Sequence, residues 1–125
     1  MQVINVEGLG ILAKERLEDA KTLYIARRYQ GAVYICGYAI EFGLKKKICK
    51  TLGRDEYPDV KDLKTHKLDT LLIFSGVEKM ISTQYKAEWS LVKKWDPEQR
   101  YSTNPVSEAD ANSMIKATET LLGFL

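Results

Sequence analysis

The single histidine, His66, is the one side chain in this chain whose ordinary pKa of about 6.5 suits proton transfer near neutrality. It stands in Thr65-His66-Lys67-Leu68-Asp69-Thr70-Leu71-Leu72, a polar segment that opens a short helical pattern. With no partner recognisable in the sequence, it reads as a catalytic candidate or as a capping and hydrogen-bonding residue. Glu41 is the second notable group. It sits within Gly31–Lys45, a stretch apolar around its whole circumference, as expected for a helix at the centre of a bundle. An ionised carboxylate buried there needs a cation or several donors. Lys45, one turn on, offers a helix pair of modest worth. The stronger expected partner is Arg100, folding back from a loop to make a bidentate pair that fixes the loop to the core. On that reading Glu41→Ala costs about 3–5 kcal/mol if the pair is buried. The functional version is a pocket lined by Glu41, Arg100 and Tyr101 that receives a phosphate or a base.

Lys45 and Lys46 complete the phosphate-binding candidates, in the run Lys45-Lys46-Lys47 with Lys50. The run spans more than one helix face, so two or three of these lysines at most address one phosphate track. Residues 45–67 hold eight Lys/Arg against four acids, and residues 68–125 six against eight. A local basic patch of this kind binds phosphates, or else caps a helix C-terminus against its macrodipole. The net charge of +2 excludes a simple polyanion-binding tail. Cys36 and Cys49 lie thirteen residues apart within one predicted helix, too far to bridge, and no C-x-x-C occurs. Both read as small buried hydrophobes of a cytoplasmic protein. No metal and no cofactor is expected, and no apolar run is long enough to span a membrane.

These residues need elements to hold them. The length and the 45% hydrophobic content fit one domain, residues 1–125, with a single core. Leu9, Leu12, Ala13, Leu17, Ala20, Leu23 and Tyr24 mark a first helix over residues 7–28. Tyr29-Gln30-Gly31 supplies a break, and a second helix runs over 31–52 until Gly53 stops it. Residues 54–65 form a loop and a short helix follows over 66–74. A fourth helix covers 78–95, carrying Ile81, Tyr85, Trp89 and Val92, and Asp96-Pro97 ends it. After a loop over 97–106, Ser107-x-x-Asp110 caps a last helix whose apolar face is Met114, Ile115, Thr118, Leu121, Leu122 and Leu125. Gly37 and Gly43 weaken the second helix relative to alanine, so a neighbouring helix, within the monomer or across a dimer, should approach closely there. The fold class is all-α: an up-and-down bundle of four long helices plus one short one.

Three patterns combine here: Arg27-Arg28-Tyr29-Gln30-Gly31-Ala32 leading into Gly37-Tyr38-Ala39-Ile40-Glu41-Phe42-Gly43-Leu44-Lys45; the Thr65–Leu72 segment; and Trp95-Asp96-Pro97-Glu98-Gln99-Arg100-Tyr101. Together they resemble a HEPN domain from about residue 9 to residue 122. The resemblance implies a four-helix bundle with an extra short helix, commonly dimerising through helix faces. It also implies a toxin–antitoxin setting beside a minimal nucleotidyltransferase, with RNA or nucleotide as ligand. Many such domains are metal-independent ribonucleases with an arginine four to six residues before a histidine. Here no arginine precedes His66 at that spacing. Lys61 holds the place, without the planar fork that grips phosphate bidentately. The expectation is therefore a non-catalytic binding or interaction module, homodimeric, acting with a nucleotidyltransferase-type partner. The alternatives are a divergent ribonuclease using His66 with Lys61 or Arg100, and a structural adaptor that binds only protein.

Overall fold

Asn5 starts the first helix by accepting the backbone N–H of Gly8 at 2.8 Å, satisfying one of the donors a helix N-terminus leaves open. A computed structural model describes residues 4–125, and among these lie six α-helices and no extended strand. Helix α1, Val6–Ile25, buries Leu9, Ala13, Leu17 and Ala20, a spacing that lines one helix face. It ends earlier than its apolar pattern predicts. Arg27 adopts a left-handed φ of 63°, and the N–H of Arg28 reaches back to the Leu23 carbonyl at 2.8 Å. This closes the helix in the manner usually reserved for glycine. The break therefore falls at residues 26–28, and Tyr29, Gln30 and Gly31 already belong to α2.

Helix α2, Tyr29–Leu52, is the central element and packs against α1, α3 and α6. Ala32, Cys36, Ala39, Ile40, Leu44, Ile48 and Cys49 are all buried, which accounts for its apolar circumference. Both cysteines are free thiols, and burial pushes that of Cys36 up to about 11. Gly53, at φ 65°, ends α2 as predicted. The two internal glycines are explained within the chain. A Cβ on Gly37 would fall inside the Trp95 indole, and one on Gly43 would lie 2.6 Å from Cδ2 of Leu122 on α6.

The segment after α2 is tied to the start of α1 by Val6 N–H to Asp55 O at 2.8 Å and Tyr57 N–H to Ile4 O at 2.9 Å. The Tyr57 hydroxyl donates to the Leu63 carbonyl at 2.5 Å, closing a 3-10 turn over Lys61–Leu63. These bonds hold residues 64–67 beside α2. Helix α3, Leu68–Ser75, begins two residues later than predicted, so His66 lies in the preceding loop. The predicted long fourth helix is two short ones, α4 (Glu78–Gln84) and α5 (Lys86–Val92). The chain bends at Tyr85 (φ −124°, ψ 31°), whose ring packs on Phe124 at 5.1 Å. No glycine or proline marks that bend. A second 3-10 turn, Pro97–Tyr101, is capped by Asp96 and precedes α6, Glu108–Phe124. Ser107 caps α6 as expected, accepting the Asp110 N–H at 3.0 Å. The result is the expected all-α bundle, with α2 enclosed by the rest. None of the described helices is long and apolar enough to cross a membrane.

Candidate functional site

Glu41 is buried in the middle of α2, its side chain only 3% exposed, and each carboxylate oxygen has its own partner. Oε2 accepts from Lys45 Nζ at 2.9 Å, and Oε1 lies 2.7 Å from His66 Nδ1. Because a carboxylate only accepts, Nδ1 must carry the proton and donate. The expected pair with Arg100 does not form. The loop after α2 brings His66 to the second oxygen, which leaves no place there for Arg100. Arg100 instead stays on the surface, 4.7 Å over the Tyr101 ring, donating to the Tyr101 hydroxyl at 3.2 Å and to the Pro97 carbonyl at 3.5 Å. Neither Glu41 nor Tyr101 lines any of the clefts described below.

The Glu41 contact fixes the tautomer and orientation of His66 while leaving Nε2 on the outer edge of a ring whose side chain is 59% exposed. Tyr38 packs edge-on against this ring, with centroids 6.1 Å apart. Its hydroxyl meets that of Tyr34 at 3.2 Å, and this hydrogen bond, aided by burial, pushes the Tyr38 phenol up to about 12. Trp95 closes the arrangement. Its Nε1–H donates to the Tyr34 carbonyl at 2.9 Å while its ring fills the space over Gly37.

Two clefts meet at His66. The larger, about 790 Å³, runs between residues 64–70 and residues 93–100. Lys64, Lys67, Lys93, Lys94 and Arg100 line it, against Asp69, Asp96 and Glu98. The smaller, about 490 Å³, lies between residues 54–59 and 64–66, with Lys45 on its wall. Lys61 lines neither cleft, so of the two basic residues that the ribonuclease alternative pairs with His66, only Arg100 shares a cleft with it. Lys46 lies on another face, its stem against Gly10 of α1, and Lys47 sits over the Phe124 ring at 5.7 Å. The lysine run is thus split three ways, as 100° per residue requires.

A family model for the HEPN domain matches residues 12–125, nearly the whole chain. The chain belongs to the HEPN domain family. No curated protein and no solved structure gives a significant match. In this HEPN domain, sequence reasoning singled out Glu41, Lys45, His66 and Arg100 and the Glu41–Lys45 pair, but it put Arg100 where His66 stands as the second partner. It also missed Lys93 and Lys94 as cleft residues, since helix phase alone does not say which loop faces the end of α5. The signal available for the Glu41–His66 pair was economy. A buried carboxylate needs a donor, and the lone histidine sits between the buried anchors Leu63 and Leu68. Among the described residues no three His, Cys, Asp or Glu side chains cluster in a way that would hold a metal ion.

Proposed function

We propose that this HEPN domain is an RNA-binding module whose phosphates sit in the basic cleft at His66. The observation that carries this reading is the grouping of Lys64, Lys67, Lys93, Lys94 and Arg100 around the exposed edge of a histidine oriented from behind by a buried carboxylate. Lysines supply sequence-independent attraction to phosphate, and a guanidinium fork can grip one phosphate bidentately. The homodimer, the toxin–antitoxin setting and a nucleotidyltransferase-type partner belong to the same proposal. The exposed apolar side chains Ile73, Phe74 and Met80 are surface available for such contacts.

The second reading is a metal-independent ribonuclease, favoured by the hydrogen bond that holds His66 Nδ1 and frees Nε2. In that chemistry Nε2 takes the proton of a ribose 2′-hydroxyl, whose oxygen attacks the adjacent phosphorus. The 5′-oxygen leaves and is protonated, giving a 2′,3′-cyclic phosphate and a 5′-hydroxyl end. Arg100 would stabilise the negative charge on the non-bridging phosphate oxygens. Incubating labelled single-stranded RNA with the protein in EDTA, beside His66→Ala and a Lys93→Gln/Lys94→Gln double variant, separates the readings. The binding module retains intact RNA and loses affinity about tenfold or more in the lysine variant, with a salt slope shallower by roughly one to two. A ribonuclease cuts it, and His66→Ala stops the cutting. Absence of binding at low salt overturns the RNA reading and leaves the protein adaptor.

A further inference from the structure

We infer that the turn between α1 and α2 forms a second phosphate subsite continuous with the His66 cleft, so that the ligand is a single RNA strand several nucleotides long rather than a lone nucleotide. The inference rests on the RNA-binding reading above and extends it to residues outside the first cleft. A cleft of about 540 Å³ opens at this turn, lined by Arg27 and Arg28, by Tyr29 and Tyr34 of α2, and by Arg100 from the second 3-10 turn. No aspartate or glutamate lines it. Among the described residues none of the three guanidinium groups has a carboxylate within ion-pair distance. Three exposed arginines facing one concavity repel one another unless an anion lies between them, and guanidinium groups are the side chains best matched to phosphate oxygens.

Two further observations point the same way. Arg27 holds the left-handed backbone conformation that glycine adopts freely, at a cost of about 1–2 kcal/mol for any other residue. Its side chain is exposed and, among the described residues, makes no hydrogen bond or ion pair that would offset that cost. Arg100, moreover, lines both this cleft and the cleft at His66. The two are joined on the inner side by the Tyr34–Tyr38 hydroxyl contact and the packing of Tyr38 on His66. A track results, from Arg27 and Arg28 through Arg100 to Lys67, Lys93 and Lys94, with tyrosine rings at one end. A mononucleotide occupies one cleft at a time. A strand occupies both, and only an unpaired strand exposes bases to the rings of Tyr29 and Tyr34.

The test is fluorescence anisotropy with oligouridylates from a dinucleotide to a decanucleotide, comparing wild type, Arg27→Gln/Arg28→Gln and Arg27→Gly, each checked for native helicity. Wild type should bind the decanucleotide at least tenfold more tightly than the dinucleotide. The double variant should lose about ten- to a hundredfold on the decanucleotide, with a salt slope shallower by roughly one to two, and keep its affinity for the dinucleotide. Arg27→Gly, which suits the turn better, should bind the long strand more weakly while folding at least as stably. A structural role for Arg27 would give the opposite. Equal affinities for long and short RNA, or a double variant that binds the decanucleotide like wild type, overturn the second subsite and leave the His66 cleft standing. Failure of wild type to bind either length overturns the RNA reading itself.

Discussion

Glu41 shows why a buried charge must be judged by what it touches. Its partners are Lys45, held within α2 with its side chain 15% exposed, and His66, which is mostly in solvent. When the carboxylate is removed, His66 can turn outward and only Lys45 is left partly buried. Glu41→Ala should therefore cost about 1–3 kcal/mol, the penalty of an orphaned hydrogen-bonding group. This is below the 3–5 kcal/mol expected of a fully buried pair with Arg100. Urea unfolding of Glu41→Ala, His66→Ala and the double variant checks this. The double variant should cost less than the sum of the two singles, because each single removes the same contact. Strict additivity would show that the two side chains do not interact. The need of Glu41 for a partner was legible in its apolar surroundings. The partner's identity was not, because it depends on how the loop after α2 closes, and hydrogen bonds from Tyr57 and Val6 set that closure.

The same division holds for the helices. Ends that rest on a local chemical device were readable: Gly53 in the left-handed region and Ser107 accepting the Asp110 N–H both act as their residue types dictate. Breaks that no residue type announces were not. Arg27 takes a glycine's conformation, and the bend at Tyr85 serves the packing of its ring on Phe124. The glycines of α2 were readable as sites of close approach, and Gly37 makes that quantitative. An alanine there gains about 1 kcal/mol of helix propensity. Its methyl, however, would overlap the Trp95 indole, and overpacking of a filled site costs about 1–3 kcal/mol or more. Since the overlap is with the ring itself rather than a flexible tip, the cost should win. Gly37→Ala is expected to lose about 2 kcal/mol, with a red shift of tryptophan emission as Trp95 leaves its seat. A more stable protein with unchanged emission would mean that the indole does not sit over α2.

At the scale of the whole molecule, two groups of positive charge have different surroundings. One is the track of Arg27, Arg28, Arg100 and the lysines at His66, which faces open clefts. The other surrounds Lys46, where burial pushes the ammonium below the ordinary lysine range and Lys50, Lys14 and Lys47 add repulsion. A folded-state value below the unfolded one means that folding is disfavoured while Lys46 is charged, and that the penalty is relieved as pH rises through the lowered value. Lys46→Met keeps the stem against Gly10 and removes the charge. Relief of the Lys46–Lys50 pair one turn apart is worth about 0.2–0.5 kcal/mol. The melting temperature at neutral pH should thus rise by roughly 1–3 °C. The gain should shrink in high salt and as pH approaches the lysine range, because screening and deprotonation each remove the repulsion that the substitution relieves. RNA affinity, if it resides in the track at His66, should stay within about twofold, whereas Arg100→Gln should reduce it without raising stability. Thermal melts across pH and salt, read beside anisotropy, check both at once. A Lys46→Met protein that gains no stability and loses RNA would mean that the phosphates follow α2 and not the clefts.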